Sequence, residues 1–158
     1  MEIGRYFCND PAAPKPNSPT HIGTNVLLEA EGRLLLEKRW DCGQWGLVGG
    51  RLRDGERYSA GIARELREET GISLPEHAFH QIRICDDDRI ASYRDGTVWR
   101  MVIVLFRARL ERLPELKPSA ESLQLQFFTP EELSALNLVI THRDLILRWA
   151  EENGGKQL

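Results

Sequence analysis

The chain has 158 residues, of which 41% are hydrophobic and 28% charged, and its formal net charge is −3. That length suits one domain with a core of its own. The slight acidic excess argues against a nucleic-acid binder that works through broad electrostatics, though it leaves room for a local basic pocket for phosphates. The three cysteines, Cys8, Cys42 and Cys85, are odd in number, widely spaced and without a pair at metal-ligand spacing. Reduced thiols in a cytoplasmic protein are the expectation.

Residues 1–20 hold Pro11, Pro14, Pro16 and Pro19 among Asn, Ser and Asp, which reads as an extended arm ahead of a single domain over residues 21–158. Ile3, Tyr6 and Phe7 could anchor that arm to the body or to a second subunit, so a homodimer is compatible with the sequence. Met1 to Asp10 has no apolar run of signal-peptide type. The longest apolar run, Met101 to Phe106, is too short to span a bilayer. A soluble protein without a membrane partner is expected.

Asn25–Ala30 and Arg33–Lys38 are apolar-rich runs around Glu31-Gly32 and read as a hairpin. A loop, Arg39 to Gln44, leads to a short extended piece, Trp45 to Val48, and then to Gly49-Gly50. A helix is expected over Tyr58–Thr70, a strand over Ala78–Cys85, and a loop or hairpin tip over Asp86–Gly96. A long strand over Thr97–Leu110 and another over Leu123–Phe128 follow. Thr129, with Pro130 behind it and Glu131 and Glu132 in the first turn, caps a short helix to Leu136. Thr141 with Asp144 has the pattern of a capping box opening a last helix. Leu145, Ile146 and Trp149 would bury that helix and Gly154 would stop it. Strands mixed with three helices outside regular βαβ alternation indicate an α+β fold.

The helix over Tyr58–Thr70 carries the chemistry. Ser59, Ile62, Ala63 and Leu66 follow the helical repeat and form a buried stripe. Glu65, Glu68 and Glu69 stand at i, i+3 and i+4, so their carboxylates converge on a neighbouring face. Like charges at that spacing repel, and three oxygen donors on one turn suit a hard octahedral cation such as Mg²⁺ or Mn²⁺. Gly71 supplies the left-handed residue that ends the helix.

From Gly50 to Ile72 the spacing is Gly50, five residues, Glu56, seven residues, then Arg64-Glu65-Leu66-Arg67-Glu68-Glu69-Thr70-Gly71-Ile72. It resembles the Nudix box without a mismatch. The resemblance implies an α/β/α sandwich with a mixed sheet, and a metal-dependent hydrolase acting on a diphosphate linked to another group. By the same resemblance Glu65, Glu68 and Glu69 bind the metal, with Glu65 a ligand or a helper in deprotonating water. The backbone carbonyl of Gly49 completes the metal shell, and Arg64 orients the box glutamates. Relatives often have proline where Val48 stands; that departure alters loop stiffness and leaves the box intact.

Outside the box, Glu121 is a candidate metal-binding or base residue before the last strand. Arg39 and Arg51 flank the double-glycine loop and are candidate phosphate contacts. Trp40 is a candidate for stacking on a base, and Trp45 is expected to pack in the core. Glu56 is placed to pair with Arg64. The cluster Asp86-Asp87-Asp88-Arg89 reads as a solvated turn, and His21, His77, His80 and His142 as surface residues. The expected substrate is a small nucleoside diphosphate derivative: a nucleoside triphosphate, ADP-ribose or a nucleotide sugar. Dinucleoside polyphosphates or capped RNA are an alternative, disfavoured by the lack of a basic stripe. A non-catalytic sensing module is a further alternative, disfavoured because every box glutamate is present.

Overall fold

Glu31 and Gly32 both take positive φ, 50° and 74°, the geometry of a tight turn that matches the twist of paired strands. They join β2 (His21–Ala30) to β3 (Arg33–Arg39) as the expected hairpin. The computed structural model describes residues 3–155. Its long central strand, β8 (Val98–Leu110), pairs parallel with β2 from His21↔Met101 to Ala30↔Leu110. The other edge of β8 carries two antiparallel strands, β6 (His80–Cys85) and β7 (Arg89–Tyr93). The two-residue β4 (Trp45–Gly46) and the last strand, β9 (Ser122–Phe128), flank β3, while β5 (Val48–Arg51) lies along β2. Parallel and antiparallel pairings together make the sheet mixed.

Alternation along the strands sorts the core into two layers. Leu27, Leu34, Leu36, Ile103 and Leu105 face one way, against Leu133 of α2 (Pro130–Leu133) and Leu145, Ile146 and Trp149 of α3 (Ile140–Asn153). Val26, Leu28, Leu35, Val104 and Phe106 face the other way, against Ile62, Ala63 and Leu66 of α1 (Tyr58–Thr70). Helices on both faces of one mixed sheet give the α/β/α sandwich. No helix among the described residues is long and apolar enough to cross a membrane.

Several local expectations need correction. The N-terminal segment is not simply an extended arm, because β1 (Gly4–Cys8) pairs antiparallel with β7, Gly4 opposite Tyr93 and Cys8 opposite Arg89. The stretch read as a loop or hairpin tip, Asp86–Gly96, contains β7 and ends in the tip of the β7–β8 hairpin. Ala78 closes a 3-10 turn (Glu76–Ala78) and β6 starts at His80. The capping box at Thr129 and Glu132 is present, but the α-helical part of α2 ends at Leu133. Thr141 does not cap α3, since Val139 occupies that place without a side-chain bond. Asp144 is used elsewhere: its two oxygens accept from Arg89 at 2.8 and 2.9 Å. Arg89, read as part of a solvated turn, is fully buried and also bonds Asp87 and the Thr141 carbonyl. His142 is buried too, with Nδ1 accepting the Leu47 N–H at 3.0 Å.

Candidate active site

Gly49 and Gly50 sit on β5 opposite Asn25 and Thr24 of β2. A Cβ on Gly49 would collide with the Thr24 carbonyl, and one on Gly50 would lie 2.5 Å from the Glu65 carboxyl carbon. Only glycine lets the backbone and the α1 carboxylates approach this closely. Asn25 fixes the preceding turn by donating Nδ2 to the carbonyls of Leu47 and Val48 at 3.2 and 3.4 Å. At the far end of α1, Gly71 takes φ 79° and its N–H bonds the Arg67 carbonyl, so the helix stops where the sequence places its left-handed residue.

Arg64 is the hub of the acidic face. Nε and Nη2 fork onto Glu56 at 2.7 and 2.9 Å, and Nη1 donates to Glu65 at 2.8 Å and Glu68 at 3.1 Å. Nη2 also reaches the Arg51 carbonyl. The guanidinium holds the Glu56 carboxyl down at about 2, chiefly through these hydrogen bonds. The outcome is one cation tying the loop before the helix to two carboxylates on it. Arg53 adds a long contact to Glu68, whose side chain is otherwise exposed.

Glu69 turns the other way and is buried, with Oε2 lacking any hydrogen-bond partner. Burial first, and then the neighbouring Glu37, Glu65 and Glu121, push its carboxyl well above the usual range. Glu65 is raised as well, by burial more than by Glu68 and Glu121, against the opposing pull of Arg64. Glu37 is the participant that sequence reasoning missed. It lies on β3 in phase with Leu35, so it faces the α1 layer rather than solvent, and it is 4% exposed. An acid in the inward phase of a strand is the signal that could have found it. Ser122 donates to its Oε2 at 2.7 Å.

These groups line a cleft of about 370 Å³, with Gly49, Gly50 and Arg51 among its lining beside Glu37, Glu65, Glu69 and Glu121. Trp40, Tyr6, Tyr93, Trp99 and His21 line the same cleft. The structure thus brings Glu65, Glu69, Glu121, Arg39, Arg51, Trp40 and Gly49 to a single cavity, with Glu68 beside it on α1. Trp45 is in the core, edge-on to Phe128, as expected. Arg39 has less freedom than a phosphate contact needs, because Nε and Nη2 each lie 3.0 Å from Asp41 and Nη2 also donates to the Tyr6 hydroxyl.

Among the described residues no three His, Cys, Asp or Glu side chains already close around one point as a metal shell. The residues present nevertheless fit a divalent cation. Glu69 has an orphaned buried oxygen in the company of three more carboxylates, a set of hard oxygen donors whose mutual repulsion a cation relieves.

Comparison with known proteins identifies the family. The NUDIX domain model matches residues 19–149. The chain belongs to the Nudix family. A MutT-like protein of Streptomyces ambofaciens is 35% identical over 129 residues, covering 82% of this chain and 76% of that protein. The nucleoside triphosphatase NudI of Escherichia fergusonii is 30% identical over 131 residues, 77% of this chain and 92% of that one. Among solved structures, a MutT protein from Methanosarcina mazei superposes with a TM-score of 0.67 at 24% identity, covering 89% of this chain and 99% of that one, a likeness of fold. With its box intact, this Nudix chain is a pyrophosphohydrolase. The Nudix match starts after β1, so Tyr6 lines the cleft from outside the matched residues.

Proposed function

We propose that this Nudix pyrophosphohydrolase acts on nucleoside triphosphates, with Mg²⁺ or Mn²⁺ held by Glu65, Glu68, Glu69 and the Gly49 carbonyl. The observation that carries the reading is one cleft lined both by carboxylates beside Gly49–Gly50 and by the aromatic rings of Trp40, Tyr93 and Trp99. A diphosphate suits the first and a planar base the second. The name of the NudI relative, a nucleoside triphosphatase, supports the choice among small nucleotides. ADP-ribose and nucleotide sugars share the same diphosphate chemistry and are the nearest alternatives.

When bound, the divalent cation neutralises charge on the phosphoryl oxygens and makes water more nucleophilic. Arg64 keeps Glu65 and Glu68 in place through its two Nη1 bonds, and Glu56 keeps Arg64 in place in turn. Arg51, exposed at the edge of the cleft, supplies a guanidinium for the phosphates. Attack in line forms a P–O bond to water while the bond to the bridging oxygen breaks. The water proton passes to a carboxylate of the cleft, for which Glu65 and Glu121 are the candidates. Products are two phosphate-terminated fragments.

A panel of nucleoside triphosphates, ADP-ribose and nucleotide sugars, each assayed with Mg²⁺ and with Mn²⁺ and resolved by product chromatography, tests this. Preferred turnover of one or more triphosphates supports the reading. Turnover confined to ADP-ribose or sugars overturns the substrate assignment.

A further inference from the structure

A second compartment of about 560 Å³ shares the Arg39–Asp41 loop, Tyr93, Trp99 and Glu121 with the first and adds Ile3 and the polar Arg94, Asp95 and Thr97. Two walls meet there. One is β7 and β8, where Trp99 packs edge-on to Tyr93 with centroids 5.2 Å apart and lies 3.6 Å from the His21 ring. The other is the loop after β3, which carries Trp40, half-exposed.

That loop is held from the N-terminal strand. The backbone N–H groups of Ile3 and Gly4 donate to the Asp41 carbonyl at 2.9 and 3.1 Å. The Tyr6 hydroxyl donates to Asp41 Oδ2 at 2.5 Å and accepts from Arg39 Nη2 at 3.0 Å. Arg39 also lies over the Tyr6 ring, 5.4 Å from its centroid. On its other side the loop is tied by the Trp40 N–H to the Glu121 carbonyl at 3.3 Å. Asp41 is buried and accepts two bonds from Arg39 and one from Tyr6, so its carboxylate is committed to the loop rather than to a base. Its place is structural: it joins strand β1 to the residue next to Trp40.

We propose that β1, which precedes the residues matched by the family, is a working wall of the substrate cleft. In this role Tyr6 is a positioning residue that fixes the Arg39–Asp41 loop, so that Trp40 together with Trp99 receives the planar base of a nucleotide. The proposal rests on reading the cleft as a nucleotide pocket. It goes beyond that reading in giving the N-terminal strand a part in substrate affinity, with the carboxylates left to the chemistry.

Tryptophan fluorescence titration with AMP, GMP, CMP and UMP, and with ribose 5-phosphate as the base-free probe, tests it on the full chain in the presence of Mg²⁺. Saturable quenching by at least one nucleotide and none by ribose 5-phosphate is expected, with the signal lost in Trp40→Leu. Tyr6→Phe keeps the ring and removes the hydroxyl; it should weaken nucleotide binding about tenfold, the worth of one hydrogen bond to a charged partner. For the matching triphosphate, KM should rise in Tyr6→Phe while kcat holds. Wild-type affinity and KM in Tyr6→Phe, equal quenching by ribose 5-phosphate, or no quenching at all would each overturn the proposal. Quenching that depends on Tyr6 in a protein that turns over no triphosphate would overturn the hydrolase substrate and leave the role of β1 standing.

Discussion

Arg64 and Glu56 form a two-point fork, Nε to Oε2 at 2.7 Å and Nη2 to Oε1 at 2.9 Å, that fixes the guanidinium before it reaches Glu65 and Glu68. Lysine has the charge but not the planar fork. Arg64→Lys should therefore lower kcat about 10- to 100-fold, the usual effect of losing a group that orients metal ligands, without removing a ligand. Steady-state kinetics across a Mg²⁺ titration check this; wild-type kcat in the variant would count against the assigned role.

Gly50→Ala tests the close approach of backbone and carboxylate. The added methyl would sit 2.5 Å from the Glu65 carboxyl carbon and 2.6 to 2.7 Å from its oxygens, so the side chain must swing away. A displacement near 1 Å at a reacting centre costs roughly 10²-fold in rate. Turnover should fall by about that factor, and the thermal midpoint should move little because the clash is with the end of a flexible side chain. A variant with wild-type kcat would show that the Glu65 position is not critical.

His142 should make the fold sensitive to acid. Burial, helped by Arg39 and Arg89 nearby, depresses its imidazole to about 3 from the ordinary value of 6.5. Between those values the unfolded chain binds a proton that the folded chain does not, so stability is complete above about 6.5 and declines as the pH falls toward 3. The slope reaches about 1.4 kcal/mol per pH unit. Protonation would also place a donor where Nδ1 accepts the Leu47 N–H. Urea unfolding from pH 6.5 to 4.5, a window above the depressed carboxylates, should show a shallower loss of stability in His142→Gln than in wild type. Parallel slopes would contradict the assignment.

The contrast between α1 and the rest shows what was legible in the sequence. Tyr58–Thr70 and Gly71 were readable because helix, stripe and cap are all set within one short segment. Tyr6 was legible as an anchor of the N-terminal segment, but not what it anchors to, because its partners Arg39 and Asp41 lie more than thirty positions away. Glu37 drew no reading of its own within the run Arg33–Lys38, and only the layer of α1 over the strand makes it a buried acid. Asp144 followed a capping pattern, yet Arg89 offers it two hydrogen bonds across the fold and takes it instead. His142 gave no local sign, since its partner is a backbone N–H ninety-five positions away. Spacing therefore identified the acidic helix of the Nudix box, whereas the pocket around it came from long-range pairings that no local pattern encodes.

Glu69, whose Oε2 has no hydrogen-bond partner, is proposed to hold with its neighbours the divalent cation on which turnover depends. The most direct test compares wild type with Glu69→Gln, which keeps shape and removes charge, measuring triphosphate hydrolysis with Mg²⁺ or Mn²⁺ and then with excess chelator. Chelation should abolish wild-type turnover, the variant should be slower by at least about 10²-fold, and a metal-induced rise in thermal midpoint should be seen only in wild type. Hydrolysis by Glu69→Gln at the wild-type rate, or wild-type turnover indifferent to the chelator, would contradict that role.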